Sequence, residues 1–225
     1  MSSRRRKIYP DLFNFALSDD FKQLLMKRIA IFASGNGSNA ENIIRYFNSR
    51  DFGWEVAVVV CNRPDAFVLK RAEALGVPAV VMPKAAIGNR EEMLGVMDRY
   101  GVDAVVLAGF LLMIPTFLIA RYPDRIINIH PSLLPKYGGK GMYGRHVHEA
   151  VVAAGERESG ITIHLVNEEC DGGKVLFRAT TEVSPDDTPA DVEAKIHSLE
   201  RRYYPAVVAA TLAGRSLGDC LTGTD

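Results

Sequence analysis

In Ile127-Asn128-Ile129-His130-Pro131, Asn128 and His130 are two residues apart. In an extended chain they share one face while the isoleucines take the other. An amide beside an imidazole at the carboxyl end of a parallel strand sits where α/β proteins hold ligands; a histidine that merely closes a strand end is the competing reading. A second stretch, Ser34-Gly35-Asn36-Gly37-Ser38-Asn39, suits an anion. Gly35 and Gly37 permit positive φ and close approach, and successive N–H groups aimed by a following helix favour a phosphate. Ser38 and Asn39 add side-chain donors. Taken alone, the turn is as much a tight βα connection as a phosphate site. It lacks the third glycine of GxGxxG, and Asn62 rather than an acidic residue ends the second strand. Both departures favour a monophosphate over a dinucleotide.

Asp171 opens Asp171-Gly172-Gly173, where spacing alone favours a turn-forming aspartate. The five histidines are His130, His146, His148, His164 and His197, and no carboxylate or cysteine stands at a recognised metal-ligand spacing from the His146/His148 pair. No metal is expected. No G-x-S-x-G occurs, so a serine hydrolase is poorly supported. Cys61, Cys170 and Cys220 are far apart, without a CxxC pair, and read as reduced thiols of a cytoplasmic protein.

The elements that must position these residues follow from apolar runs. Residues 29–33, 56–60, 79–81, 104–107 and 126–129 read as short strands, with helices at 40–47, up to Leu75, at 90–100 and at 115–120. Strands apolar throughout and separated by helices mean a parallel sheet covered on both faces. The expected fold is a doubly wound, mostly parallel α/β sheet with a Rossmann-like N-terminal half. After His130 the pattern changes. A loop from Pro131 to Arg145 carries two prolines and four glycines, and 146–154 reads as a helix. Residues 160–166 and 175–183 alternate with period two, as strands in hairpin-like or mixed pairing do. Residues 189–212 read as a long helix, with an interruption expected at Pro205.

With 225 residues, of which 48% are hydrophobic and 24% charged, the chain has the size and composition of one globular domain. Lys plus Arg and Asp plus Glu number 27 each, which gives no general reason to bind nucleic acid. No run reaches the ~18 unbroken apolar residues of a membrane span. The basic Arg4-Arg5-Arg6-Lys7 run reads as a solvated tail, and no signal peptide is evident.

Ala33 through Asn39, Leu107-Ala108-Gly109-Phe110, Ile127 through Tyr137 and Asp171-Gly172-Gly173 together, in this order and spacing, resemble the phosphoribosylglycinamide formyltransferase family, folate-dependent enzymes of purine synthesis. The resemblance runs from about Lys27 to about Gly214. It implies a formyltransferase fold, 10-formyltetrahydrofolate as formyl donor, glycinamide ribonucleotide as acceptor, and a monomer or homodimer. Residues 1–26 are then an extension, of which 1–25 are expected to be dispensable for catalysis. A single domain spans 27–214, with a phosphate-binding half at about 27–125 and a folate and catalytic half at about 126–214, and 215–225 form a tail.

Asn128, His130 and Asp171 match the family's catalytic trio. Amine attack on a formyl carbon puts negative charge on oxygen, which Asn128 and a protonated His130 can stabilise at ~3–4 kcal/mol per donor. Asp171 can orient the imidazole, favour its charged form and relay the amine proton through water. Gly37, Ser38 and Asn39 match the substrate-phosphate turn, and Glu200 a residue holding the ribose. Phe110, Leu111, Leu112, Met113 and Ile114, with Asn128, Asn167, Glu168 and Cys170, match the folate pocket. Leu112 stands where some members have Arg, and His197, at the phosphate end, where some have Gln or Lys. The Gly138–Gly144 loop is several residues longer than in well-known members, and of His146 and His148 the latter is the better match. Rival readings are a formyltetrahydrofolate deformylase, which passes the formyl group to water, and a non-catalytic nucleotide-binding module.

Overall fold

The computed structural model describes residues 25–221. The Arg4–Lys7 run, nearly all of the expected extension and the last four residues lie outside them. The first half contains β1 (Lys27–Ala33), α1 (Ser38–Asn48), β2 (Trp54–Cys61), α2 (Val68–Ala74), β3 (Ala79–Val81), α3 (Lys84–Gly88), α4 (Arg90–Arg99), β4 (Ala104–Leu107) and α5 (Thr116–Arg121). The second half contains β5 (Ile126–His130), α6 (Arg145–Ala153), β6 (Glu158–Leu165), β7 (Val175–Glu182), α7 (Pro189–Ala213) and α8 (Leu217–Leu221).

One seven-stranded sheet in the order β3-β2-β1-β4-β5-β6-β7 runs through both halves. β1 to β5 are parallel, and β6 and β7 continue the sheet antiparallel. The parallel strands are apolar on both faces because both are covered. Ile29, Ile31 and Ala33 face α1, α2, α6 and α7 through Ile43, Ile44, Val68, Val147, Val151 and Ile196. Ala30 and Phe32 face α3, α4 and α5 through Ile87, Met93, Met97 and Leu118. This is the expected doubly wound architecture. Because β1 lies between β2 and β4, winding reverses there, and a crevice opens beyond the carboxyl ends of β1 and β4.

The expected break at Pro205 does not occur: α7 is continuous through it. A proline supplies no N–H to the carbonyl four residues back. That carbonyl, of Arg201, instead accepts a 2.8 Å hydrogen bond from Asn42 Nδ2 on α1. The helix begins with a capping box between Thr188 and Asp191 and Pro189 at its first position. Midway, the buried Tyr204 hydroxyl lies 2.8 Å from the Leu107 carbonyl and 3.2 Å from that of Ile127, holding α7 across β4 and β5. Residues 217–221 of the expected tail form α8, whose Cys220 is buried and accepts a hydrogen bond at its carbonyl from Tyr46. No helix among the described residues is long and apolar enough to cross a membrane.

Candidate active site

The crevice beyond β1, β4 and β5 is a cavity of about 580 Å³. At one end stands the turn after β1. Gly37 has φ 79° and caps α1 without any side-chain hydrogen bond. A Cβ there would lie 2.4 Å from Val68 Cγ2, so both the backbone conformation and the space demand glycine. The uncapped first turn of α1 leaves N–H groups and the positive end of the helix dipole for an anion. Arg71 braces the turn from α2, with Nε 2.9 Å from Asn36 O, Nη2 2.9 Å from Asn36 Oδ1, and an ion pair to Glu41. Beside it, Asn39 Nδ2 donates to Glu200 Oε2 at 3.0 Å. Glu200 is buried, which raises its pKa against the lowering effect of Asn39 and His197. All five sequence-assigned substrate residues, Gly37, Ser38, Asn39, His197 and Glu200, line this cavity.

At the centre, β5 and β6 bring four polar side chains together. Their antiparallel register sets Asn128 opposite His164 and His130 opposite Thr162. A register irregularity between Ile163 and His164 in the β6–β7 pairing falls at this point, and bulges commonly re-aim side chains beside sites. His164 Nδ1 lies 2.9 Å from the Leu165 carbonyl, so that nitrogen carries a proton and Nε2 is free to accept from Asn128 Nδ2 at 3.0 Å. Asp171 reaches both imidazoles: Oδ1 is 3.6 Å from His164 Nε2, and Oδ2 is 3.5 Å from His130 Nδ1. His164 is a residue that reading the strands singly does not place. Its role follows from cross-strand register.

His130 Nε2 lies 2.7 Å from the Tyr137 carbonyl, so the Nε2 proton is donated there and Nδ1, turned to Asp171, is the basic nitrogen. Burial holds the His130 pKa below its ordinary value, outweighing the raising effect of Asp171 and the Tyr137 carbonyl. The imidazole expected to be protonated is therefore neutral near pH 7 in the free protein. The 3.5 Å gap to Asp171 fits that state, since no proton lies between the nitrogen lone pair and the carboxylate. Burial also pushes the Asp171 carboxyl up, but His164, the Gly139 N–H and His130 together pull it below its ordinary value. Asp171 is thus the anion of the group.

The loop from 131 to 144 holds this arrangement from outside. Thr162 Oγ1 donates to the Ser132 carbonyl at 2.7 Å and accepts from Leu134 N–H at 3.0 Å. Gly139 N–H donates to Asp171 Oδ2 at 2.9 Å. Tyr137 and Asp171 both adopt φ 55° without being glycine, a conformation that costs ~1–3 kcal/mol and persists where surrounding contacts enforce it. Gly173 is required for closure of the Asp171 turn, because a Cβ there would stand 1.7 Å from the Leu165 carbonyl.

Phe110 through Ile114, Asn128, Asn167 and Cys170 all line the cavity; Glu168 does not, and Glu169 does. Asn167 Oδ1 accepts the Glu169 N–H at 3.0 Å. Ser34 fastens the first segment, accepting Leu111 N–H at 2.9 Å. Of the unassigned pair, His148 lines the cavity and is buried, with Nδ1 lacking a hydrogen-bond partner. Burial lowers its pKa, with Glu193 opposing and His197 and His130 assisting. His146 lies outside, against Tyr143 and 3.6 Å from Glu149. Among the described residues no cluster of three or more His, Cys, Asp or Glu is arranged to hold a metal ion.

The geometry therefore joins an anion site, a polar cluster able to donate to an oxyanion and move a proton, and an apolar wall in one cavity. Residues 27–208 match the family model described as Formyl transferase. The chain is 41% identical over 189 residues to the chloroplastic phosphoribosylglycinamide formyltransferase of Arabidopsis thaliana, covering 82% of this chain and 65% of that protein, so it spans a little under two thirds of that relative's length. It is 37% identical over 194 residues to the phosphoribosylglycinamide formyltransferase of Haemophilus influenzae, covering 84% of this chain and 89% of that one. The crystal structure of glycinamide ribonucleotide transformylase 1 from Symbiobacterium toebii superposes with a TM-score of 0.77 at 33% identity, covering 84% of this chain and 89% of that one. The chain belongs to the formyl transferase family.

Proposed function

We propose that the chain transfers the formyl group of 10-formyltetrahydrofolate to the amine of glycinamide ribonucleotide in purine synthesis, with Asn128, His130 and Asp171 carrying the chemistry. The observation that carries this reading is the single cavity in which the uncapped turn of α1 faces the Asn128–His164–Asp171–His130 group. Ser38, Asn39 and the first-turn N–H groups hold the phosphate, and Glu200 and His197 the ribose side. Residues 110–114 and the 167–171 loop hold the folate ring system.

The amine nitrogen bonds to the formyl carbon, the carbonyl pair moves onto oxygen, the C–N10 bond breaks, and the proton lost by the amine is matched by one gained at N10. Asn128 uses one amide hydrogen on His164, which fixes its orientation and leaves the second for the oxyanion. His130 takes the amine proton at Nδ1, directly or through a water, and Asp171 stabilises the imidazolium so formed. Charged in this way, His130 sets a positive charge beside the oxyanion. His164 acts through Asn128 and Asp171 as a positioning residue. The reading carries a cytoplasmic location and a monomer or homodimer with it.

Loss of the formyl group from a 10-formylfolate donor, followed optically with and without glycinamide ribonucleotide, tests the proposal. Turnover that requires the ribonucleotide is expected. Equal turnover without it makes water the acceptor and refutes the transfer, and no turnover in either case refutes it as well.

A further inference from the structure

Apart from its imidazoles, the cavity is lined among the described residues by four carboxylates, Glu169, Asp171, Glu193 and Glu200, and by one Lys or Arg, Lys140. On the proposed function both ligands are anions: a phosphomonoester with a charge of about −1.5 to −2, and a folate ending in a glutamate. The phosphate has the uncapped turn of α1. The second anion meets carboxylates unless a cation accompanies it.

Lys140 is placed to be that cation. It stands at the second position of a four-residue turn closed by Met142 N–H on the Gly139 carbonyl at 3.1 Å. Gly141 follows at φ 91°, the positive value that a type II turn requires. Both ends of the turn are anchored, Gly139 through its N–H on Asp171 Oδ2 and Met142 by packing against the core. Lys136 and Lys195 pair with Glu156 and Asp187, whereas Lys140 has no ion-pair partner among the described residues and is exposed. The same cavity carries three large apolar side chains that remain open to solvent: Leu111 (51% exposed), Met113 (61%) and Tyr143 (47%). A cation together with uncovered apolar side chains fits an aromatic amide that ends in carboxylate.

We propose that Lys140 is a specificity residue that pairs with the glutamate carboxylate of the folate donor at the cavity mouth, with Leu111, Met113 and Tyr143 covering the aromatic amide before it. This inference rests on the folate reading of the site. Calorimetric titration of the wild type, Lys140→Met and Lys140→Arg with folic acid, with pteroic acid, which lacks the glutamate, and with glycinamide ribonucleotide tests it without turnover. Lys140→Met is expected to weaken folate about five- to tenfold and to leave pteroate unchanged, with Lys140→Arg restoring most of the loss. The wild-type preference for folate over pteroate should also shrink as salt rises. Equal weakening of folate and pteroate, or no weakening, overturns the assignment. A loss confined to glycinamide ribonucleotide overturns it too, because the cation then serves the phosphate. Folate binding that depends on Lys140 in a protein unable to transfer formyl to the ribonucleotide would refute the reaction and leave the anchor standing.

Discussion

Replacing Asp171 by Asn changes the charge of the site while keeping its shape. The amide oxygen of the variant can still accept the Gly139 N–H, so the loop stays fastened, but the anion beside two imidazoles is gone. Asp171 stands 3.5 Å from His130 Nδ1. At an effective dielectric of ~20 that separation corresponds to about 5 kcal/mol between unit charges. On the proposed mechanism this energy is absent while His130 is neutral and is gained as the imidazole takes the amine proton, so its loss falls on the chemical step rather than on binding. A fall in kcat of about 10³-fold follows, with KM for either substrate changed by less than about threefold. Initial rates at saturating formyl donor and ribonucleotide measure this, with thermal denaturation alongside to check folding. A folded Asp171→Asn protein with kcat within tenfold of wild type, or one whose loss lies wholly in KM, would refute the assignment of Asp171 as the partner of a charging imidazole.

Two further outcomes follow from the same geometry. Burial lowers the pKa of both His130 and His148, so the unfolded chain binds more protons as pH falls below ~6.5. Stability is therefore full above that pH and declines as pH falls below it toward the lowered folded values; His148→Gln should flatten the decline in denaturant midpoints, and an unchanged slope would remove His148 from the titration. Gly37→Ala places a methyl group 2.4 Å from Val68 Cγ2 at φ 79°. It should destabilise the protein by about 1–3 kcal/mol and raise KM for the ribonucleotide about tenfold or more, since the phosphate N–H groups move with the turn; a ribonucleotide KM equal to wild type would separate the turn from the phosphate.

What could be read from the sequence depended on how local the cause was. β1 and β4 are visible as unbroken apolar runs because both faces of the sheet are covered there, and the apolar run at 104–107 coincides with β4. Strand ends were less visible. β2 starts at Trp54, before the apolar run, because Trp54 and Glu55 pair with Lys27 and Arg28, and β5 extends to His130 because it pairs with Thr162. α3 left no readable signal, being five residues with only Ile87 buried. In the site, the glycine turn and the Asn128/His130 pair are contiguous in sequence and were legible. The contribution of His164 depends on the register of β6 against β5. That of Tyr137 comes from a backbone carbonyl, and that of Arg71 from a helix 35 residues beyond the Asn36 it braces. None of these leaves a pattern in one stretch of chain.

The proline within α7 has a consequence for how substitutions combine. By leaving the Arg201 carbonyl free it makes the acceptor that Asn42 uses, next to the Asn39–Glu200 bond at the start of α1. Asn42→Ala alone strips that carbonyl of its donor. In a Pro205→Ala background the restored main-chain N–H can supply it, and the same asparagine substitution should matter less. The two positions form a non-additive pair: what one tolerates is decided by what occupies the other, on two different helices and more than 160 residues apart in sequence.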